Sequence, residues 1–265
     1  MTTSAAPASF TPRRRLAFRA WAAVLVLVFG VGFFGLVSLV LGWFASVEGV
    51  AGPVTDLGYG ALVGIIFTMG LLVQLRAPER KIAGMQQAAL VVPALLIGSA
   101  IAADSQNVVA ALISLVGIGS LLALHPARAE FLRRGSAVNR RLLALTIVGA
   151  VPLSAYALNM GAQAQNLAGP PHHVQRFSTM AALAVAIVLA GLLAALRTRG
   201  WRIPAWSTGT ATIVFGLAST VFPDHPGAEG RGWGAVAIAG GVLFIAVAEW
   251  ERAARSSGPV RRLHS

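Results

Sequence analysis

Cysteine is absent from the 265 residues, which excludes disulfides, thiolate nucleophiles and Cys-ligated zinc or iron–sulfur sites. Charge is scarce as well. Asp, Glu, Lys and Arg make up 11% of the chain and mean hydropathy is +0.74, whereas about a quarter of the residues of a soluble domain are charged. Lysine occurs once, as Lys81 between two apolar runs, so no run offers the amine that a retinal Schiff base needs. The five histidines also fall outside the runs, which argues against a bis-histidine haem. No ionisable side chain lies near the middle of any run, where it would cost at least about 2.5–3.5 kcal/mol and mark an ion path. Transport coupled to protons or sodium through a buried carboxylate therefore has no candidate residue. Walker, Rossmann, nucleophile-elbow, HExxH and DDxxD-type motifs are missing too, and no family resemblance stands out.

What fills the chain is a series of apolar runs: Ala20–Phe44, Gly58–Leu75, Met85–Ala103, Val108–Leu124, Leu142–Met160, Ser178–Leu196, Ser207–Phe222 and Trp233–Trp250. A membrane-spanning helix takes about 20 residues at a rise of ~1.5 Å each. These lengths select helices over barrel strands, so the expected fold is an all-α, polytopic transmembrane bundle of about eight spans. The fourth and seventh runs are short and need their flanks, with Pro204 suited to a first helical turn.

Basic residues set the expected orientation. Arg13, Arg14, Arg15 and Arg19 precede the first run. Arg76, Arg80 and Lys81 follow the second; Arg128, Arg133, Arg134, Arg140 and Arg141 follow the fourth. Arg197, Arg199 and Arg202 follow the sixth, and Arg252, Arg255, Arg261 and Arg262 the eighth, leaving only Arg176 and Arg231 for the other side. Since Lys and Arg are retained on the cytoplasmic side, both termini are expected in the cytoplasm. A missed span would invert every later gap and destroy the alternation. The net charge of +12 is thus explained by membrane orientation, and no nucleic-acid partner is expected. The Trp residues agree, with Trp21, Trp201, Trp206 and Trp250 at the cytoplasmic ends of runs and Trp43 and Trp233 at the outer ends.

The expected organisation is a basic, structureless N-terminal segment (1–15), a transmembrane domain (16–252) and a basic cytoplasmic tail (253–265). Arg13-Arg14-Arg15 before a run of about 25 residues reads as an uncleaved signal-anchor, because cleaved signals have apolar cores of ~7–15 residues. An Arg-rich composition with abundant Ala and Gly suggests a bacterial, GC-rich source, and the bacterial inner membrane is the expected location. The segment His125–Arg134 reads as a short amphipathic helix on the membrane, its arginines facing anionic cytoplasmic lipids. Glycines, including the Gly60…Gly64 pair, point to close helix packing. A membrane-protein partner or homo-oligomer fits such surfaces.

Candidate functional residues concentrate on the expected outer side. Tyr156, Asn159, Gln163 and Asn166 recur at helical spacing, on one stripe if the fifth helix continues past its apolar run. Pro152 one turn earlier would free the carbonyl of Val148 and bend that helix. With Arg176, the stripe predicts an outward-facing polar pocket. No cofactor is predicted; were a divalent metal bound, His172, His173, Asp224 and His225 would be its candidate ligands. Asp224 with His172 or His173 is also a candidate acid–base pair. Within the runs, Ser38, Thr68, Gln74, Ser99, Ser114, Thr146 and Ser154 are candidates to line a path, or else to pack helices. Three functional classes follow: a binding, accessory or permease-like protein with an outward polar pocket; a metal-assisted enzyme at the outer surface acting on a lipid-linked or envelope substrate; and an uncoupled small-molecule transporter.

Overall fold

Hydrocarbon offers the backbone no partners, and the chain satisfies its own with helices. In the computed structural model no strand occurs among the described residues, which are 12–44, 52–132, 135, 137–167 and 171–256. The expected structureless segment up to Thr11, Glu48, Arg133, Arg134 and the tail beyond Ser256 lie outside them. Arg13, Arg14 and Arg15 lie within them, in the first turn of helix α1 (Pro12–Leu27).

Seven helical stretches among the described residues are long and apolar enough to cross a membrane: Arg13–Leu41, Pro53–Leu75, Ile82–Ala102, Gln106–Leu124, Arg140–Gln165, His172–Ala195 and Gly230–Ala254. The seventh expected run, missing from these seven, is also a helix, Arg202–Val221, but its composition is more polar. Ser207, Thr208, Thr212, Ser219 and Thr220 interrupt it. Two of these hydroxyls donate to their own helix one turn back, Thr212 to the Thr208 carbonyl and Thr220 to the Gly216 carbonyl, each at 2.8 Å. A helix packed against protein tolerates hydroxyls that a lipid-facing one would not need.

The first two stretches are irregular. Helix α1 widens into a π turn at Val28–Gly32, breaks at Phe33 and Phe34, and resumes as α2 (Gly35–Leu41). Phe34 holds a left-handed φ of 58°, a conformation that is rare for a bulky side chain. The second stretch begins as α3 (Pro53–Gly60), runs through eight residues of π geometry at Ala61–Thr68, and closes as α4 (Met69–Leu72). The wide turns free carbonyls, and side chains answer them: Thr68 donates to the Val63 carbonyl and the Gln87 amide to the Ile66 carbonyl, both at 2.6 Å. The two irregular segments face one another, with Phe29 edge-on to Phe67 at 4.6 Å. Glycine makes the approach possible: a Cβ on Gly64 would lie 2.6 Å from the Gly35 carbonyl oxygen.

The remaining helices are α5 (Ile82–Ala102), α6 (Gln106–Leu124), α7 (Arg140–Gln165), α8 (Pro171–Ala195), α9 (Arg202–Val221) and α10 (Gly230–Ser256). Helix α8 is the hub. Its small side chains, among them Ala181, Ala182, Ala186 and Ala190, are buried and let α5, α7, α9 and the second stretch pack around it. Helices α9 and α10 lock through reciprocal glycines: a Cβ on Gly209 or Gly216 would stand 2.7 or 2.6 Å from the carbonyl oxygen of Gly241 or Gly234.

Two connections differ from expectation. The stretch Gly161–Phe177 is mostly helical, because α7 continues to Gln165 and α8 starts at Pro171, a residue that suits a first turn. The segment after α6 forms one short 3₁₀ turn at Arg128–Glu130 in place of an amphipathic helix. Pro126 explains this by forcing His125 into an extended conformation. The His125 ring is then fully buried: Nδ1 accepts from the Ala127 amide at 3.0 Å and Nε2 lies 3.2 Å from the Gln74 side-chain oxygen.

Arginines gather on the face that carries the α1 start and the α10 end. Glu251 takes Arg141 at 2.8 Å and also Arg197. Glu249 takes Arg202 at 2.6 Å and Arg252 at 3.0 Å, and Glu130 takes Arg199 at 2.9 Å. The Arg141 guanidinium also sits 4.0 Å over Trp250. Helices α3, α6, α8 and α10 all begin at the opposite face.

Candidate functional site

A two-part cleft opens at that opposite face, between the broken first stretch, the second stretch, α6 and α8. Its polar part has a volume of about 540 Å³ and is lined by Thr55, Asp56, His172, Gln175, Arg176 and Ser38, with Phe33, Phe34 and Tyr59 at its floor. Phe33, Tyr59, Gln175 and Thr179 also line a second volume of about 220 Å³, so the two adjoin along a shared wall. The inner part is apolar, walled by Phe29, Leu62, Phe67, Val91, Leu95 and Ile113, with Ser114 at its inner end. Along α6 it runs from Gln106 to Ser114, or about 12 Å at the helical rise.

Each polar side chain arrives by a local rule. Gly52 accepts the Thr55 hydroxyl at 2.9 Å and donates its amide back at 3.2 Å, which fixes the start of α3 and places Asp56 in the first turn. There Asp56 meets Arg176 of α8 at 2.6 Å. The same Nη1 reaches Thr55 at 3.3 Å. Nε and Nη2 of Arg176 make no hydrogen bond among the described residues, and its side chain is about one-third exposed. Asp104 caps α6 by accepting the amides of Gln106 at 2.9 Å and Asn107 at 3.2 Å. Asn107 is thereby held buried, donates to Ser178 at 2.8 Å and Thr179 at 3.1 Å, and accepts from the Gln175 amide at 3.5 Å. Tyr59 donates to the Phe33 carbonyl at 2.7 Å, taking up an acceptor that the break releases.

The cleft also has a side opening. In its inner half the first stretch packs on α6 through α1, with Trp21 donating to Ser120 at 2.8 Å; beyond the break, α2 leans on the second stretch. Between α2 and α6 the lining residues Phe33, Val109 and Ile113 are 43, 56 and 44% exposed. In a bilayer those apolar faces meet lipid.

The residues singled out from sequence divide. Arg176 and His172 line the cleft. Tyr156 is buried elsewhere, packed edge-on against Phe215 at 4.9 Å and donating to the Gly227 carbonyl at 2.8 Å. Asn159 and Asn166 are exposed, Gln163 is half-buried, and none of the three lines the cleft. Asn166 donates back to the Ala162 carbonyl at 2.9 Å as a helix end. Since α8 is already helical at His172 and His173, their rings stack edge-to-face at 4.5 Å. Asp224 and His225 are exposed near Phe222. Among the described residues no three His, Asp or Glu side chains converge on one point. Of the hydroxyl and amide candidates, Ser38 and Ser114 line the cleft, while Thr68, Gln74, Ser99 and Thr146 bond to backbone carbonyls in helix packing.

Tyr59, Gln175 and Thr179 carry no site role in the sequence reading. A signal existed: Gly30, Gly32 and Gly35 around Phe33-Phe34 mark a weak point in the first run, and Asp56 with Tyr59, like Gln175 with Thr179, share a helix face. Compared with known protein families, characterised proteins and solved structures, the chain matches none.

Proposed function

We propose that this chain is an eight-span protein of a bacterial cytoplasmic membrane, of the binding or permease-like class, which receives an amphipathic ligand sideways from the outer leaflet. The arginine-rich face is cytoplasmic in this reading, supported by the alternation of Lys and Arg along the chain. Helix α9 counts as the remaining span because its 20 residues measure about 30 Å, the thickness of the hydrocarbon core.

One observation carries the proposal: the cleft grades from Asp56, Arg176 and His172 to an apolar end at Phe67 and Leu95, and its flank is open where lipid would lie. The inner part, about 12 Å along α6, is less than half of a ~30 Å hydrocarbon core, so that part lies within one leaflet. A soluble polar solute would gain nothing from the inner part, and a plain hydrocarbon nothing from the outer.

The Cys-free chain makes the test direct. In intact cells, a single cysteine at His172 (H172C) reacts with a membrane-impermeant maleimide. Purified A110W, whose indole fills the inner part, carries less co-purifying lipid than wild type, whereas V148W on the exposed side of α7 carries the same amount. H172C reacting only after lysis, or A110W and V148W retaining equal lipid, refutes the proposal.

A further inference from the structure

Resting on that reading, we infer the class of ligand: a single-chain amphiphile whose head carries a carboxylate or phosphate, with the head on Arg176 and the chain in the inner cleft.

The head follows from donor geometry. Arg176 spends one nitrogen, Nη1, on both Thr55 and Asp56. Its Nε and Nη2 make no hydrogen bond among the described residues, and the side chain borders the polar cavity. A planar guanidinium with two donors to spare matches two oxygens of a carboxylate or phosphate in fork geometry. Asp56 keeps the empty cleft near neutrality and holds the guanidinium in place. It also competes electrostatically with any incoming anion for the same cation, with Asp56 on Nη1 and the anion on Nε and Nη2.

Chain number follows from volume. The inner cavity of about 220 Å³ compares with ~150 Å³ for an apolar cavity that takes one benzene ring. One alkyl chain fits this space and a second does not. The chain enters where Val109 and Ile113 are exposed, so a long tail extends from the cleft into the surrounding lipid without having to be enclosed.

The test is binding of defined amphiphiles to purified full-length protein in a neutral maltoside, read by native mass spectrometry and by competition with a fluorescent fatty acid. Palmitate and lysophosphatidylglycerol bind wild type. Dodecyl trimethylammonium, with the opposite charge, does not compete. R176Q weakens both anions about tenfold or more, the scale of losing a charge-assisted hydrogen-bond pair. D56N, which removes the competing carboxylate, strengthens them. Opposite shifts in the two variants separate a binding role from misfolding, which would weaken both.

Equal binding of anionic and cationic amphiphiles, or R176Q matching wild type, overturns the inference; if A110W still sheds its lipid, the broader reading survives that failure. Inorganic phosphate competing as well as lysophosphatidylglycerol would assign the fork to a soluble anion and also overturn it. Tight retention of two-chain lipid in the inner cleft overturns the single-chain assignment.

Discussion

His125 links the first, second and fourth membrane stretches on the arginine-rich face, and it does so as a neutral ring. Nδ1 accepts the Ala127 amide, which obliges the proton to sit on Nε2, where it meets the Gln74 oxygen; the Gln74 amide is committed to the Lys81 carbonyl at 2.9 Å. Phe18 packs edge-on at 5.1 Å. Protonating Nδ1 would break one hydrogen bond and bury a cation, and burial accordingly lowers the pKa to about 4, against an upward pull from Glu79. The sign follows from which state takes up protons. An unfolded His titrates near 6.5, so between pH 6.5 and 4 the unfolded chain binds a proton that the folded chain refuses. Stability present at neutral pH is lost as pH falls through that window, by about 2 kcal/mol at pH 5 and about 3 kcal/mol below pH 4. For a chain of this size each kcal/mol moves Tm by roughly 2–4 °C. Thermal unfolding in maltoside at pH 7.5, 6.5, 5.5 and 5 measures it, with H125N as the reference because Asn keeps an acceptor for Ala127 but does not titrate. Carboxylates common to both proteins cancel in the comparison. Wild type should lose its advantage over H125N as pH drops to 5; parallel curves would refute the argument.

Three further outcomes are expected. G216V forces a side chain into the Gly234 backbone and should cost about 1–3 kcal/mol from overpacking, whereas G240A, with nothing within 4 Å of its new Cβ, should be neutral or gain up to about 1 kcal/mol of helix propensity; paired melting curves decide this. E251Q strands Arg197, whose side chain is 7% exposed, and should destabilise by several kcal/mol, up to about 3–5 for a broken buried pair, visible as a loss of detergent-stable monodisperse protein that E249Q, serving more exposed arginines, does not reproduce to the same degree. Y59F removes the bond to Phe33 and should cost about 0.5–1.5 kcal/mol, with faster amide exchange confined to residues 31–36; unchanged exchange there would show that the break holds without it.

Much of this architecture is written in the sequence because lipid imposes it. Apolar runs of spanning length and arginines confined to alternate gaps are first-order consequences of hydrocarbon as a solvent. Helix boundaries were less legible: Asp56, His172, Gln175 and Arg176 stand outside the apolar runs yet lie in the first two turns of helices, since hydropathy marks where lipid begins and not where the helix does. Helix α9 shows the converse, a helix whose threonines hide it from a hydropathy count because protein, not lipid, surrounds much of it. The cleft was hardest to foresee. The Tyr156 stripe followed a helical period correctly, but periodicity does not say what a face meets, and in the fold Tyr156 turns toward Gly227 while Asn159 faces outward.

The feature that makes the cleft is a backbone irregularity, and its position explains why the site has both a polar mouth and a lateral door. An unbroken first helix would continue along α6 and close the flank. The break at Phe33-Phe34 instead lets α2 tilt onto the second stretch, where Gly60 and Gly64 admit Leu39 and Gly35 at backbone contact. Broken backbone at membrane depth is tolerated only where protein or a cavity receives it, and here Tyr59 receives the freed Phe33 carbonyl while lining both the polar and the apolar volume. A left-handed Phe34 costs on the order of 1–3 kcal/mol, a strain that a purely structural span would have no reason to retain. Replacing it by glycine should therefore stabilise the fold if the break is only strained backbone. If the Phe34 side chain, 58% exposed beside the opening, also guards the door, F34G should gain stability and at the same time exchange lipid faster, and a gain without faster exchange would leave Phe34 no part in access.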